Sequence, residues 1–280
     1  MELFTTGREL SRYLNGEREA GKTIGFVPTM GALHKGHVSL IAQARQKATL
    51  VVASIFVNPT QFNDPADLEK YPRPRELDIR KLTEAGCDVL FMPEVGEMYA
   101  DPAEHWHIEL KGLDGILEGA QRAGHYQGVT QIVKKLFDIV SPDFAFFGQK
   151  DYQQFRVVEE MTNRFGLPVQ LVMCPIIREP DGLAMSSRNI HLSPEERQHA
   201  LALHRVLRKA EQEFGTRAVP EIRADAIREL TGSPGIELQY FEICDGSTLR
   251  PVDSKDAESI VALVAATVGT TRLIDNIILK

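Results

Sequence analysis

The 280-residue chain is poor in cysteine, tryptophan and long apolar runs. Its three cysteines, Cys87, Cys174 and Cys244, lie far apart and form no C-x-x-C pair. That argues against a disulfide framework or a zinc knuckle and fits a reducing compartment. No apolar stretch approaches the roughly 20 residues that a membrane-spanning helix needs. The opening residues MELFTTGREL lack a basic segment followed by an apolar run, so no signal peptide is expected. Positive charge is in deficit: 32 Lys and Arg stand against 39 Asp and Glu, for a net charge of −7. Such a balance disfavours a protein whose affinity rests on neutralising a nucleic-acid backbone. A small anionic ligand stays open, because it needs only a local cluster of positive groups. Internal repeats and low-complexity segments are absent as well. The expectation is a cytoplasmic protein with neither nucleic acid nor membrane as partner.

What is present is an ordinary globular mix, 43% hydrophobic and 25% charged, with enough apolar residues to bury a core. In the first half, short apolar runs alternate with helical spacing. Thr23–Pro28, Leu50–Val57, Asp88–Met92, Asp143–Phe147 and Pro168–Ile177 read as strands. Val38–Lys47, Pro74–Ala85 and Val129–Val140 read as helices, with Pro74 suited to a first turn and Gly86 to a C-terminal cap. Continuous apolar strands alternating with helices predict an α/β fold: a doubly wound, Rossmann-like, mostly parallel sheet covered on both faces. Ligands of that class sit at the carboxyl ends of the strands. The pattern changes near residue 178. Ser193-Pro194-Glu195-Glu196 has the form of a capping box opening a helix to about Phe214, and Pro220–Leu230 reads as a second helix. Strand-like runs follow at Ile236–Cys244, Ser259–Thr267 and Arg272–Leu279, with a turn signal at Asp245-Gly246. The expected organisation is a nucleotide- and substrate-binding domain over 1–178 and a smaller C-terminal α+β lid domain over 179–280.

Four segments carry chemistry. Pro28-Thr29-Met30-Gly31-Ala32-Leu33-His34-Lys35-Gly36-His37 joins the first of these strands to the next helix. Helix-start amides and the helix dipole favour an anion there, Gly31 and Gly36 allow close approach, and His34 and His37 share a face. The alternative is a glycine-rich turn with surface histidines. Met185-Ser186-Ser187-Arg188-Asn189 sets two hydroxyls beside a guanidinium, which suits a phosphate clamp or a polar interdomain linker. Phe56-Val57-Asn58-Pro59-Thr60-Gln61-Phe62 leaves a strand at its carboxyl end, where Asn58 and Gln61 offer uncharged hydrogen bonds or form a polar turn. Gly148-Gln149-Lys150-Asp151-Tyr152-Gln153-Gln154 follows another strand. Lys150 is a point charge for phosphate or carboxylate, and Asp151 is a ligand contact, a cap of the next helix, or both.

The H-x-G-H and M-S-S-R segments resemble the signature pair of the HIGH/KMSKS nucleotidyltransferase superfamily, whose members attack the α-phosphate of ATP. With F-V-N-P-T-Q-F and G-Q-K-D-Y-Q-Q in the same order, the chain resembles the pantoate–β-alanine ligase family. Glu118-Gly119, Gly124 to Val129 and Thr271 to Asn276 extend the resemblance over nearly the whole length. It implies an ATP site made by Met30, Gly31, Ala32, Leu33, His34, Lys35, Gly36, His37, Gly148, Gln149, Lys150, Asp151, Ile177, Met185, Ser186, Ser187 and Arg188. It implies catalytic roles for His34, His37, Lys150, Ser186, Ser187 and Arg188, and substrate contacts at Asn58, Gln61 and Gln154. The implied reaction joins pantoate to β-alanine through a pantoyl-adenylate, with ATP as its Mg²⁺ complex, in a homodimer. It assigns no protein ligand to the metal. Gln149 stands where the family often has Glu, and Ala123 where Pro is expected. A metal at His105-Trp106-His107 is disfavoured against strand alternation placing both histidines on one face. A nucleotidylyltransferase would need no acceptor for a small polar acid such as the Gln61 and Gln154 segments imply. A tRNA synthetase would need an anticodon-binding domain. A silent relative on the same fold would have no reason to keep His34, His37, Lys150 and Arg188 together.

Overall fold

The computed structural model describes residues 1–63, 65–100 and 106–280. Its strands are β1 (Glu2–Phe4), β2 (Ile24–Thr29), β3 (Leu50–Ile55), β4 (Val89–Phe91), β5 (Phe144–Gly148), β6 (Gln170–Cys174), β7 (Ile236–Asp245), β8 (Ile260–Val268) and β9 (Thr271–Ile278). Its helices are α1 (Gly7–Glu19), α2 (Lys35–Lys47), α3 (Pro65–Lys70), α4 (Arg75–Glu84), α5 (Val95–Met98), α6 (Leu117–Gln121), α7 (His125–Val140), α8 (Tyr152–Arg164), α9 (Pro194–Phe214) and α10 (Val219–Thr231). Single 3₁₀ turns cover Pro59–Gln61, Gln149–Asp151 and Ser187–His191. The chain divides into two compact units: Met1–Gly148 with Gln153–Pro175, and Gln149–Tyr152 with Ile176–Lys280.

In the first unit, six strands form one sheet in the order β1-β4-β3-β2-β5-β6, and every pairing is parallel. The alternation of β2 shows why both faces are apolar. Phe26 meets Phe137 of α7 edge-on, with ring centroids 6.3 Å apart. Val27, on the other face, joins Leu40, Ile41 and Ala44 of α2 in a buried cluster with Val51, Ala53 and Phe146. This is the doubly wound α/β class. The chain lays β3 and β4 on one side of β2 and β5 and β6 on the other, so the strand order reverses between β2 and β5. Their carboxyl ends are Thr29 and Gly148.

Some elements differ from the sequence reading. Helix α7 starts at His125 rather than near Val129, because Gly124 turns the chain at φ 80° and the first turn buries His125, Tyr126 and Gly128. A buried histidine, tyrosine and glycine, rather than an aliphatic stripe, hid that turn. Helix α1 was not legible, since beyond Gly7 it buries only Leu10 and Leu14. Trp106 and His107 are not in a strand. Trp106 instead donates its indole N–H to Thr130 Oγ1 at 3.0 Å and stacks on Phe165, and His105 lies outside the described residues.

The second unit carries the antiparallel sheet β7-β8-β9, on which α9 and α10 pack. Leu203, Val206 and Leu207 of α9 and Ile222 and Leu230 of α10 close a core with Phe241, Ile243, Ile260, Ala262 and Val264. Ser193 and Glu196 form the capping box that opens α9. Ser193 Oγ accepts Glu196 N–H at 3.2 Å, and Glu196 Oε2 accepts Ser193 N–H at 2.8 Å. No helix among the described residues is long and apolar enough to cross a membrane.

Candidate active site

The turn from β2 to α2 holds Met30 to His37 in one place. Gly31 (φ 82°) and Ala32 (φ 49°) take left-handed conformations to make it. At Gly31 a Cβ would press on the side chains of Ile55 and Asp78 at 3.0 and 3.1 Å, and the positive φ itself favours glycine. The turn is tied down by Asp78 of α4, which is 1% exposed. Its two carboxylate oxygens accept the N–H groups of Ala32 and Leu33, each at 2.8 Å. Lys81, one turn along α4, donates to the carbonyl of Leu33, whose side chain lies in the sheet core. Several amides around this helix start are engaged within the protein. Those of Ala32 and Leu33 go to Asp78, that of His34 goes to His37 Nδ1 at 3.3 Å, and that of Gly36 goes to His34 Nδ1 at 3.1 Å.

What the turn offers instead follows from the same bonds. Each Nδ1 accepts a backbone N–H, so each neutral ring carries its proton on Nε2. Two Nε2–H donors stand on rings whose centroids are 4.1 Å apart.

The 3₁₀ turn after β3 sets Gln61 against this loop: Gln61 Nε2 donates to Met30 Sδ at 2.8 Å. Asn58, 1% exposed, holds Gln61 in place. Its Nδ2 donates to Gln61 Oε1 at 3.2 Å and to Gly128 O at 3.1 Å. Its Oδ1 accepts from Tyr99 at 2.6 Å and from Thr60 at 3.1 Å. Both donors and both acceptor positions of this amide thus have protein partners. His125 fastens the backbone: Nδ1 donates to Gln61 O at 2.7 Å, and Arg122 donates to Nε2 at 3.1 Å. Helix α7 approaches closely enough that a Cβ on Gly128 would be driven into the Thr60 carbonyl. On α8, Gln154 is half-buried. Its neighbour Gln153 bonds to Leu113 O, Ile116 O and Glu118 N, and so anchors that segment.

In the second unit, Gln149, Lys150 and Asp151 form a 3₁₀ turn. Asn276 of β9 donates to the carbonyls of Gln149 and Lys150, each at 2.9 Å, and accepts Gln149 Nε2–H at 3.1 Å. The side chain at 149 is thus used, not only its backbone. Lys150 Nζ lies 3.5 Å from Asp151 Oδ1, a loose exposed pair worth little. Met185 N–H bonds to Ile177 O at 3.0 Å, closing a small loop bridged at Arg178 and Ala184. Ser186 Oγ accepts Arg188 N–H at 3.2 Å and caps the turn Ser187–His191. The expected phosphate-clamp segment thus carries its own cap.

Asp78, Tyr99, His125, Gln153 and Asn276 carried no role in the sequence reading. Asp78 looks like any acid in a helix's first turn, and nothing local marks a partner dozens of residues away. Among the described residues, no group of three or more His, Cys, Asp or Glu is placed to hold a metal ion.

A family profile described as pantoate-beta-alanine ligase matches residues 2–278. A pantothenate synthetase from Thermotoga petrophila is 48% identical over 281 residues, covering 100% of both chains. One from Porphyromonas gingivalis is 46% identical over 278 residues, covering 99% of each. The crystal structure of pantothenate synthetase from Thermus thermophilus matches with a TM-score of 0.93 at 41% identity, covering 100% of this chain and 99% of that one. A pantoate-beta-alanine ligase from Francisella tularensis, complexed with beta-gamma ATP and beta-alanine, matches with a TM-score of 0.82 at 32% identity, covering 100% and 98%.

Proposed function

This chain belongs to the pantoate–β-alanine ligase family, and from that premise we propose how its residues divide the reaction. The enzyme condenses pantoate with β-alanine, using ATP. In the first step the pantoate carboxylate attacks the α-phosphorus of ATP, and pyrophosphate leaves. In the second the amine of β-alanine attacks the acyl carbon of pantoyl-adenylate, giving pantothenate and AMP. No protein nucleophile is required, so catalysis is positioning and charge stabilisation.

The observation that carries the assignment is the backbone N–H directed at Nδ1 of both His34 and His37. A carboxylate nucleophile has no proton to lose, so the first step needs donors for the charge gathering on phosphate oxygens. Two Nε2–H groups supply that without a proton transfer. Met30, Gly31, Ala32, Leu33, Lys35 and Gly36 form the turn that presents them to ATP. Gln61 and Gln154 bind pantoate, and Asn58 serves by holding the amide of Gln61, since its own hydrogen bonds go to protein partners.

In the second unit Gly148's successors Gln149, Lys150 and Asp151, with Ile177, Met185, Ser186, Ser187 and Arg188, contribute to nucleotide binding. Lys150 and Arg188 supply fixed positive charge, and Ser186 and Ser187 supply compact donors. Mg²⁺ enters as part of the substrate, held mainly by phosphates and water. The enzyme works as a cytoplasmic homodimer.

The test is pyrophosphate release from Mg-ATP with pantoate alone, followed by addition of β-alanine. Pantoate-dependent pyrophosphate, with AMP and pantothenate completed only after β-alanine, is the expected result. Well-folded protein that releases no pantoate-dependent pyrophosphate would overturn it.

A further inference from the structure

Strand β9 carries two adjacent polar residues, Asp275 and Asn276, that are 5% and 2% exposed. Neighbours on a strand point to opposite faces, and these two grip different segments of the second unit. Asn276 uses both amide hydrogens on consecutive carbonyls, Gln149 O and Lys150 O at 2.9 Å, while its own oxygen takes Gln149 Nε2–H. Two fixed carbonyls in a row determine the direction in which the Lys150 side chain leaves the backbone. Asp275 accepts Arg178 through two parallel bonds of 2.6 and 3.0 Å, and Arg178 also donates to Gly182 O at 3.1 Å. That fork spans the bridged loop which runs from Ile177 through Arg178 and Ala184 into Met185 and Ser186. The two grips are joined, since Asp275 Oδ1 also accepts Asn276 N–H at 2.8 Å.

We propose that Asp275 and Asn276 are positioning residues for the adenylation step, holding Lys150 and the Ser186–Arg188 segment to one rigid strand. A buried ion pair adds little net stability over an apolar replacement, whereas a bidentate fork and a double amide clamp fix geometry. The proposal rests on Lys150 acting on the phosphates of ATP, as assigned above.

A double-mutant cycle on the full-length enzyme separates the two claims. The readout is kcat and pantoate KM for pantoate-dependent pyrophosphate release. Lys150→Ala is expected to slow release about 100-fold or more. Asn276→Ala is expected to slow kcat about tenfold or more with pantoate KM changed less than about twofold, and to cost no more than about twofold further when Lys150 is already Ala. A Lys150→Ala enzyme with unchanged release overturns the assignment of Lys150. A slowed Lys150→Ala enzyme in which Asn276→Ala keeps its full additional cost overturns the positioning role alone. Loss of kcat and pantoate affinity together, with a lowered melting temperature, marks a merely structural residue and also overturns it. Should Asn276→Ala not fold, Asn276→Ser, which reaches one carbonyl at most, is read in the same cycle against the same outcomes.

Discussion

A single carboxylate, Asp78, decides the shape of the turn that carries His34 and His37, because it takes two consecutive backbone N–H groups onto its two oxygens. Removing it leaves two amides in a buried setting without acceptors. Asp78→Ala is expected to destabilise the protein by about 2–4 kcal/mol, read from urea unfolding, and to depress pyrophosphate release. A variant of unchanged midpoint would refute the role given to Asp78. His204 makes a pH statement of the opposite kind. Burial, with the nearby Arg178 guanidinium adding to it, holds this histidine below its ordinary value of 6.5, and Asp275 partly offsets that. As pH falls through 6.5 the unfolded chain takes up a proton that the folded His204 still refuses. Stability is therefore present above that value and is lost toward the lowered one. His204→Gln is expected to flatten the loss of urea midpoint as pH falls below about 6.5; an unchanged slope would show that other groups dominate there.

Elements place these residues by close approach. Helix α7 reaches the 3₁₀ turn of Pro59–Gln61 only because position 128 has no side chain. Gly128→Ala must push the helix or the turn aside, at about 1–3 kcal/mol. Because Gly128 O holds Asn58, the same change is expected to raise the pantoate KM. Stability lost with pantoate KM intact would separate the packing from Gln61. At α9 the reciprocal bonds of Ser193 and Glu196 are exposed and local. Ser193→Ala is expected to cost about 1 kcal/mol, measurable by thermal melting, with no change in pyrophosphate release. Helix ends of this kind were legible as strings: S-P-E-E before α9, and Gly86 after α4. Helix α1 was not, because its buried stripe is too thin for a periodic signal. The first turn of α7 was not either, because it buries a histidine, a tyrosine and a glycine rather than an aliphatic stripe.

For the molecule as a whole, all three cysteines are buried and free. Burial pushes the thiols of Cys87 and Cys244 up to about 12 and that of Cys174 to about 11. A thiolate is the reactive form, so native protein is expected to resist iodoacetamide and to take up label only after denaturation. Rapid native labelling would show that one of these sites opens. Sedimentation at micromolar concentration tests the homodimer, and a persistent monomer with full activity would remove it from the proposal. The sequence by itself determined the class of fold, because strand and helix periods and apolar runs are local properties. It also singled out the candidate chemical segments, because glycines, histidines and hydroxyls at set spacings are read along the chain. Only the tertiary structure decided which hydrogen bonds those segments make. Asp78 under the first turn, Asn58 behind Gln61, and Asn276 under Lys150 each act across 3 to 126 residues of chain. A hydrogen bond depends on distances in space, and no spacing along the chain encodes those.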